Sequence, residues 1–165
     1  MNDALNPLIL QAWRQRYELM KLVLDNIIIT QTTWHKDEVQ LRAVRTPVFL
    51  EEQKVTPAFE WDEIDATAVH LLASLNGEPI ACLRIIDYHK IGRMAVLKKF
   101  RGIGLGSALL LEAIEICKKY GSKQVALSAQ THAISFYEKV GFKQISGEYC
   151  DVDIPHVDML LEISN

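Results

Sequence analysis

Three glycines at alternate positions, Gly102, Gly104 and Gly106, stand between an apolar run and a helical pattern. Ahead of them, Ile91 to Leu97 carries a strand signal, and Lys98-Lys99-Phe100-Arg101 forms a basic turn. From Ser107 to Tyr120, Ala108, Leu110, Leu111, Ile114 and Cys117 recur on one helical face. Lys118 and Lys119 suit the negative end of that helix, and Gly121 supplies a stop. A strand that turns through glycines into a helix brings free backbone amides to the positive end of the helix dipole. That arrangement suits a phosphate or pyrophosphate, and Lys98, Lys99 and Arg101 add positive charge. The glycine spacing lacks the last interval of the dinucleotide fingerprint, and no Gly-Lys-Ser/Thr follows, so neither common nucleotide loop is expected. A glycine-rich turn without a ligand is the alternative.

The remaining pattern is α+β. Leu8 to Leu24 reads as an amphipathic helix, with Leu8, Ala12, Leu19, Leu22 and Val23 opposite Arg14, Gln15, Glu18 and Lys21. Ile27 to Thr30 reads as a first strand and His35 to Val44 as a helix. Val48 to Asp65 has no sustained period and reads as loop. Ala68 to Leu75 and Pro79 to Tyr88 are strands joined by the turn signal Asn76-Gly77-Glu78, and Ile91 to Leu97 continues the meander. Val125 to Ala129 is a further strand and His132 to Val140 a helix ended by Gly141. Phe142 to Tyr149 and Val157 to Ile163 complete the strands. A strand–helix–strand step requires one parallel pair, so the expected sheet is mixed and mostly antiparallel, flanked by helices. The division expected is a helical extension over 1–26 and one domain over 27–165.

Composition narrows the function. The net charge is −3, from 18 basic and 21 acidic residues, and the pI is about 5.9. A chain held on nucleic acid by bulk charge is normally basic, and neither a zinc pattern nor a basic helix is present. The longest apolar candidate for a span, Leu22 to Ile29, is short and broken by Asp25 and Asn26. The opening residues do not read as a signal peptide. Cys82, Cys117 and Cys150 are odd in number and far apart, which suits neither a disulfide framework nor a zinc site. His70, His89 and His132 show no metal spacing either. A cytoplasmic protein without a metal, a membrane or a nucleic-acid partner is the expectation.

Arg101-x-x-Gly104-x-Gly106 resembles the acyl-CoA pyrophosphate loop of the GNAT N-acetyltransferases, Gln/Arg-x-x-Gly-x-Gly/Ala. Gln130-x-x-Ala133-x-x-Phe136-Tyr137-Glu138-Lys139-x-Gly141-Phe142 is similar to the family's later Asn-x-x-Ala-x-x-Leu/Phe-Tyr-x-x-x-Gly-Phe segment, with Gln130 where Asn is commoner. The resemblance covers about residues 27 to 165. A narrower one, to the ElaA-like branch, rests on Arg42-x-x-Arg45-x-x-Val48-Phe49-x-x-Glu52-Gln53, then Glu60, Asp62, Asp65 and His70, and on Ile154-Pro155-His156-x-x-Met159. Acyl-homoserine-lactone synthases are a distant relative by general fold.

The resemblance implies acetyl transfer from acetyl-CoA to an amine, either a small molecule or an exposed protein amine. It implies that the backbone of Met94, Ala95 and Val96 pairs with the pantetheine arm like a strand and that one of these amides faces the thioester oxygen. Arg101, Gly102, Gly104, Gly106 and Ser107 would then hold the pyrophosphate, and Gln130, Ala133 and Phe136 would complete the coenzyme site. It places Tyr137 near the coenzyme sulfur as a general acid; the apolar stripe on which Tyr137 lies also fits a core residue. The general base is left between Glu52 and His156: imidazole titrates near neutrality, whereas a carboxylate needs a raised pKa or a water relay. Relatives that dimerise make a homodimer an expectation, without an interface signature in the sequence. A non-catalytic acyl-CoA sensor and an interaction domain built on the first helix are the alternatives. The net charge averages two opposed regions: residues 51–65 hold six acids and one lysine, while 93–101 hold Arg93, Lys98, Lys99 and Arg101 with no acid. That segregation suggests a cationic acceptor on one side and a polyanionic coenzyme on the other.

Overall fold

The computed structural model describes residues 26–163 and, ahead of them, Gln11 and Gln15, which are helical and exposed. The helix expected over Leu8 to Leu24, and with it the 1–26 extension, otherwise lies outside the described residues.

Eight strands form one sheet in the order β1-β2-β3-β4-β5-β8-β6, with β7 also on β8. They are β1 (Ile27–Thr33), β2 (Val69–Leu75), β3 (Glu78–Ile86), β4 (Lys90–Val96), β5 (Gln124–Gln130), β6 (Lys143–Gln144), β7 (Tyr149–Asp151) and β8 (Ile154–Glu162). Every pairing is antiparallel except β4 with β5. The fold is thus α+β with a mixed, mostly antiparallel sheet. Helix α1 (Trp34–Arg45) covers one face and α3 (Leu105–Lys119) the other. Strand β3 lies between the two helices and is buried on both sides. Leu83 and Ile85 join Leu109 and Ala113 of α3 in one cluster, while Cys82 joins Leu41 and Val44 of α1 in a second. Helix α3 ends as its sequence dictates: Gly121 takes φ 86°, and the Ser122 amide bonds back to the Cys117 carbonyl at 3.1 Å.

Three stretches differ from the sequence expectation. The polar run after Val48 is ordered: a π-helical turn over Thr46–Glu52, a helical turn α2 (Pro57–Glu60) and a 3-10 turn over Glu63–Ala66. These turns have no apolar period because buried charges, not a hydrophobic stripe, anchor them. The helix expected over 132–140 breaks at Ala133 (φ −101°, ψ −2°) into a 3-10 turn, Thr131–Ala133, and α4 (Ile134–Glu138). The strand expected over 142–149 is interrupted, and only β6 and β7 pair with β8. Between them the Ser146 hydroxyl accepts the Asp158 amide at 2.8 Å.

The anchoring charges form a balanced network beneath α1. Arg45, 1% exposed, bonds Glu60 through Nε and Asp65 through Nη1 at 2.8 Å. Arg84 bonds Asp62 at 2.6 Å and Asp65 at 2.9 Å, and Arg93 bonds Glu60 at 2.8 Å. Burial lowers the Arg45 guanidinium, but Asp65 and Glu60 outweigh it and hold the group above its ordinary value. Burial likewise raises the Asp65 carboxyl; Arg45 and Arg84 reverse that and hold it low. At Glu60 burial wins and the carboxyl is raised, against the pull of Arg45 and Arg93. The Trp34 and Trp61 rings, 6.1 Å apart and tilted by 46°, pack beside this corner, with the Arg45 guanidinium 5.4 Å and 4.8 Å from their centroids. Glu60, Asp62 and Asp65 are therefore committed to arginines of the chain's own core, and the acidity read from 51–65 is largely neutralised there.

His70 extends the network: its Nε2–H donates to the Asp65 carbonyl at 2.9 Å, and burial holds the imidazole below its ordinary value. The unfolded chain binds the His70 proton near pH 6.5 and the folded chain does not, so stability is full above about pH 6.5 and falls as pH drops through the folded value. Denaturant melts at stepped pH should show this decline between neutrality and pH 5, and His70→Gln should remove its upper part.

Candidate active site

Strand β4 creates the site by parting from β5 while it stays paired with β3. Its first residues pair with β5, Lys90 opposite Ala126 and Ile91 opposite Leu127, and that pairing then stops. The cause is a β-bulge. Cys82 faces Ala95 but Arg84 faces Gly92, so β4 carries one extra residue, and Arg93 adopts φ 47°. Past the bulge β4 bends from β5, and the edge of Met94, Ala95 and Val96 borders open space.

Two cavities flank the split. One, of about 460 Å³, is walled by Met94, Ala95 and Val96 of β4, by Arg101, Gly102 and Gly104 of the loop, by Gly106 and Ser107 of α3, and by Phe136. Gly102 and Gly104 take φ 81° and 90°, a backbone region that side chains resist. Gly104 caps α3 without a side-chain partner, which leaves the first amides of a fifteen-residue helix at the cavity wall. Gly106 differs: it lies inside the helix, and an added Cβ would meet Phe136 at an ordinary 3.7 Å. These residues fit an extended arm ending in a pyrophosphate: an unpaired strand edge for the first, and glycine turns with helix amides for the second.

The second cavity, of about 360 Å³, opens on the other side of the split. Gln130, Ala133, Tyr137, His156 and Arg93 line it, with Phe49, Phe59 and Ile64 as apolar wall. Gln130 and Ala133, expected at the coenzyme, thus lie on this side. Burial pushes the Tyr137 hydroxyl up to about 12, so it stays protonated at neutral pH. Its ring packs edge-on against Phe136 and Phe142.

His156 is carried by β8 directly opposite Gln130 of β5 and Tyr149 of β7. The β7–β8 turn runs through Val152 and Asp153 at φ 48° and 61°, the double left-handed turn that matches strand twist. His156 Nδ1–H donates to the Ile154 carbonyl at 2.7 Å, so Nε2 is the ring nitrogen not held by that bond. The Tyr149 ring stacks on the imidazole at 6.1 Å, and its hydroxyl is fixed by Asp158 at 2.7 Å and Ser128 at 2.5 Å.

Glu52 lies elsewhere, on the first cavity. It binds Arg101 through both oxygens, at 2.7 and 2.8 Å, and the Arg101 hydrogen bond holds its carboxyl below the usual range. A carboxylate so held is a poor proton acceptor at neutral pH. Arg93, counted above with the basic segment, is turned by the bulge toward Glu60 and lies away from the glycine loop's cavity. Sequence reasoning did not single out Ser128, Tyr149 or Gln53 as part of the site; only the strand register and the π-helical turn bring them there. No group of three or more His, Cys, Asp or Glu is placed to hold a metal among the described residues, and no helix there is long and apolar enough to cross a membrane.

Comparison with known proteins agrees with this architecture. The profile of the acetyltransferase (GNAT) domain matches residues 36–163. An uncharacterised protein of Bacillus subtilis, YyaT, is 35% identical over 142 residues, 82% of this chain and 96% of its own length. The crystal structure of an acyl-CoA N-acyltransferase from Pseudomonas aeruginosa superposes with a TM-score of 0.75 at 32% identity, covering 82% of this chain and 99% of that one. Escherichia coli ElaA gives the same TM-score at 30% identity over the same shares. With its split strand, glycine turn and matching profile, the chain belongs to the GNAT acetyltransferase family, among the relatives of ElaA.

Proposed function

We propose that this protein transfers an acetyl group from acetyl-CoA to an amine by direct attack in a ternary complex. One observation carries the reading: the two cavities meet at the β4 split, where Met94 and Gln53 line both. Donor and acceptor can reach one point from opposite sides with no covalent enzyme intermediate. Buried Cys82 and Cys117, with thiols raised to about 12 and about 11, are unsuited as nucleophiles, and Cys150 lines neither cavity.

In this reading the β4 edge takes the pantetheine arm, and the loop from Arg101 to Ser107 takes the pyrophosphate. His156 Nε2 accepts the amine proton, and the Tyr137 hydroxyl protonates the departing thiolate. Glu52 holds Arg101 at the donor cavity and is not the base. His156→Gln should lower kcat by about 100-fold or more and abolish the fall in rate at acid pH that a protonatable base produces. Glu52→Gln should leave that fall in place. Tyr137→Phe should lower kcat with acetyl-CoA affinity unchanged. pH–rate profiles of the three variants check these assignments; an acid limb lost in Glu52→Gln and kept in His156→Gln would reverse the choice of base. Titration of the full chain with acetyl-CoA by calorimetry, followed by thiol release across an amine panel, tests the function. Binding without turnover would make the protein an acyl-CoA sensor, and no binding would make it an interaction domain.

A further inference from the structure

We propose that Gln53 is a catalytic residue that donates a hydrogen bond from its side-chain amide to the acyl carbonyl oxygen. This rests on the acetyltransferase reading above. Among the described residues only Gln53 and Met94 line both cavities, and of the two only Gln53 carries a polar side chain. Its position is fixed from both sides. Its backbone N–H donates to the Val48 carbonyl at 3.1 Å to close the π-helical turn. The next residue, Lys54, takes φ 61°, a left-handed conformation that side chains adopt at a cost, and the Val55 amide returns to the Phe49 carbonyl at 2.9 Å. The chain reverses there and leaves Gln53 at the split.

The side chain is also oriented. Gln130 Nε2 donates to Gln53 Oε1 at 2.8 Å across 77 positions of sequence. That bond commits the Gln53 oxygen and leaves its two N–H groups without a partner among the described residues. A neutral amide donor on a residue that lines both cavities is worth little to a ground-state carbonyl and more as charge builds on the oxygen. As the amine nitrogen bonds to the acyl carbon, the carbonyl electron pair moves onto oxygen beside the Gln53 amide. The pair returns as the carbon–sulfur bond breaks, the amine proton passes to His156 and the thiolate takes the Tyr137 proton; solvent then carries the proton from His156 to the Tyr137 phenolate, which restores both side chains. The products are the acetylated amine and free coenzyme thiol.

The test separates this role from the reading on which it rests. The probe is a ketone analogue of acetyl-CoA, labelled with carbon-13 at the carbonyl and carrying a methylene in place of sulfur. Infrared spectroscopy of its carbonyl stretch should show a shift to lower frequency on binding to the wild-type chain. Gln53→Leu should lose most of that shift while calorimetric affinity changes less than about threefold, and kcat should fall about 100- to 1000-fold. Gln53→Glu still accepts the Gln130 bond but sets a carboxylate against the developing charge, so its kcat should be no higher. A wild-type band unshifted on binding, or a shift kept in Gln53→Leu, would overturn the role of Gln53 and leave the donor site standing. Failure of the analogue to bind the wild-type chain would overturn both.

Discussion

Gly104→Asp should weaken acetyl-CoA binding by about 100-fold, equivalent to ~2.8 kcal/mol, in a calorimetric titration of the folded variant. Two effects add. Gly104 holds φ 90°, where an L-residue pays roughly 1–2 kcal/mol. The carboxylate would also stand at the cap of α3, beside the amides that should face the pyrophosphate. Gly104→Ala carries the strain without the charge, so it should lower stability but weaken binding much less than Asp. Gly106→Ala should be close to neutral, because its Cβ meets Phe136 at ordinary contact distance. An Asp variant that binds like the wild type would remove the glycine loop from the donor site.

Arg45→Ala should destabilise the fold by about 3–5 kcal/mol, because it leaves carboxylates buried without their main cation. For a chain of this size that corresponds to a fall in Tm of about 10 °C. Glu60 and Asp65 are each 2% exposed and both depend on Arg45. Asp65 Oδ2 already has no hydrogen-bond partner, so little capacity remains to absorb the loss. Adding Asp65→Asn to Arg45→Ala should recover part of the stability by removing one stranded charge. Thermal melts of the two variants check this, and an Arg45→Ala melt within a few degrees of wild type would show that the network contributes little.

Local pattern made the sheet, α3 and the glycine loop legible, because each depends on short-range periodicity and turn chemistry. Helix α3 was legible at its C-terminal end, where Gly121 takes positive φ; it begins at Leu105, two residues before the expected Ser107, because Gly104 at φ 90° caps it and Gly106 lies inside it. The stretch from Val48 to Asp65, expected as loop, was not legible as structure. Its order comes from Arg45, Arg84 and Arg93, and Arg93 is contributed by a strand more than thirty positions away. The ElaA-like pattern contained Arg45, Glu60, Asp62, Asp65 and His70; the structure brings these residues into one network, with all but Asp62 buried. The same long-range pairing governs the site. Gln130 meets His156 through strand register and Gln53 through a bond across the cleft, and neither contact has a signature in local sequence. The charge split between 51–65 and 93–101 likewise has a different meaning in three dimensions, since Arg93 joins the acids.

Acetyl transfer is tested most directly by following thiol release from acetyl-CoA across an amine panel, with mass spectrometry of the amine products. At least one amine should release thiol in step with gain of a single acetyl group, and Gly104→Asp should suppress both at donor concentrations that saturate the wild type. Saturable acetyl-CoA binding with no amine consumed would contradict the account.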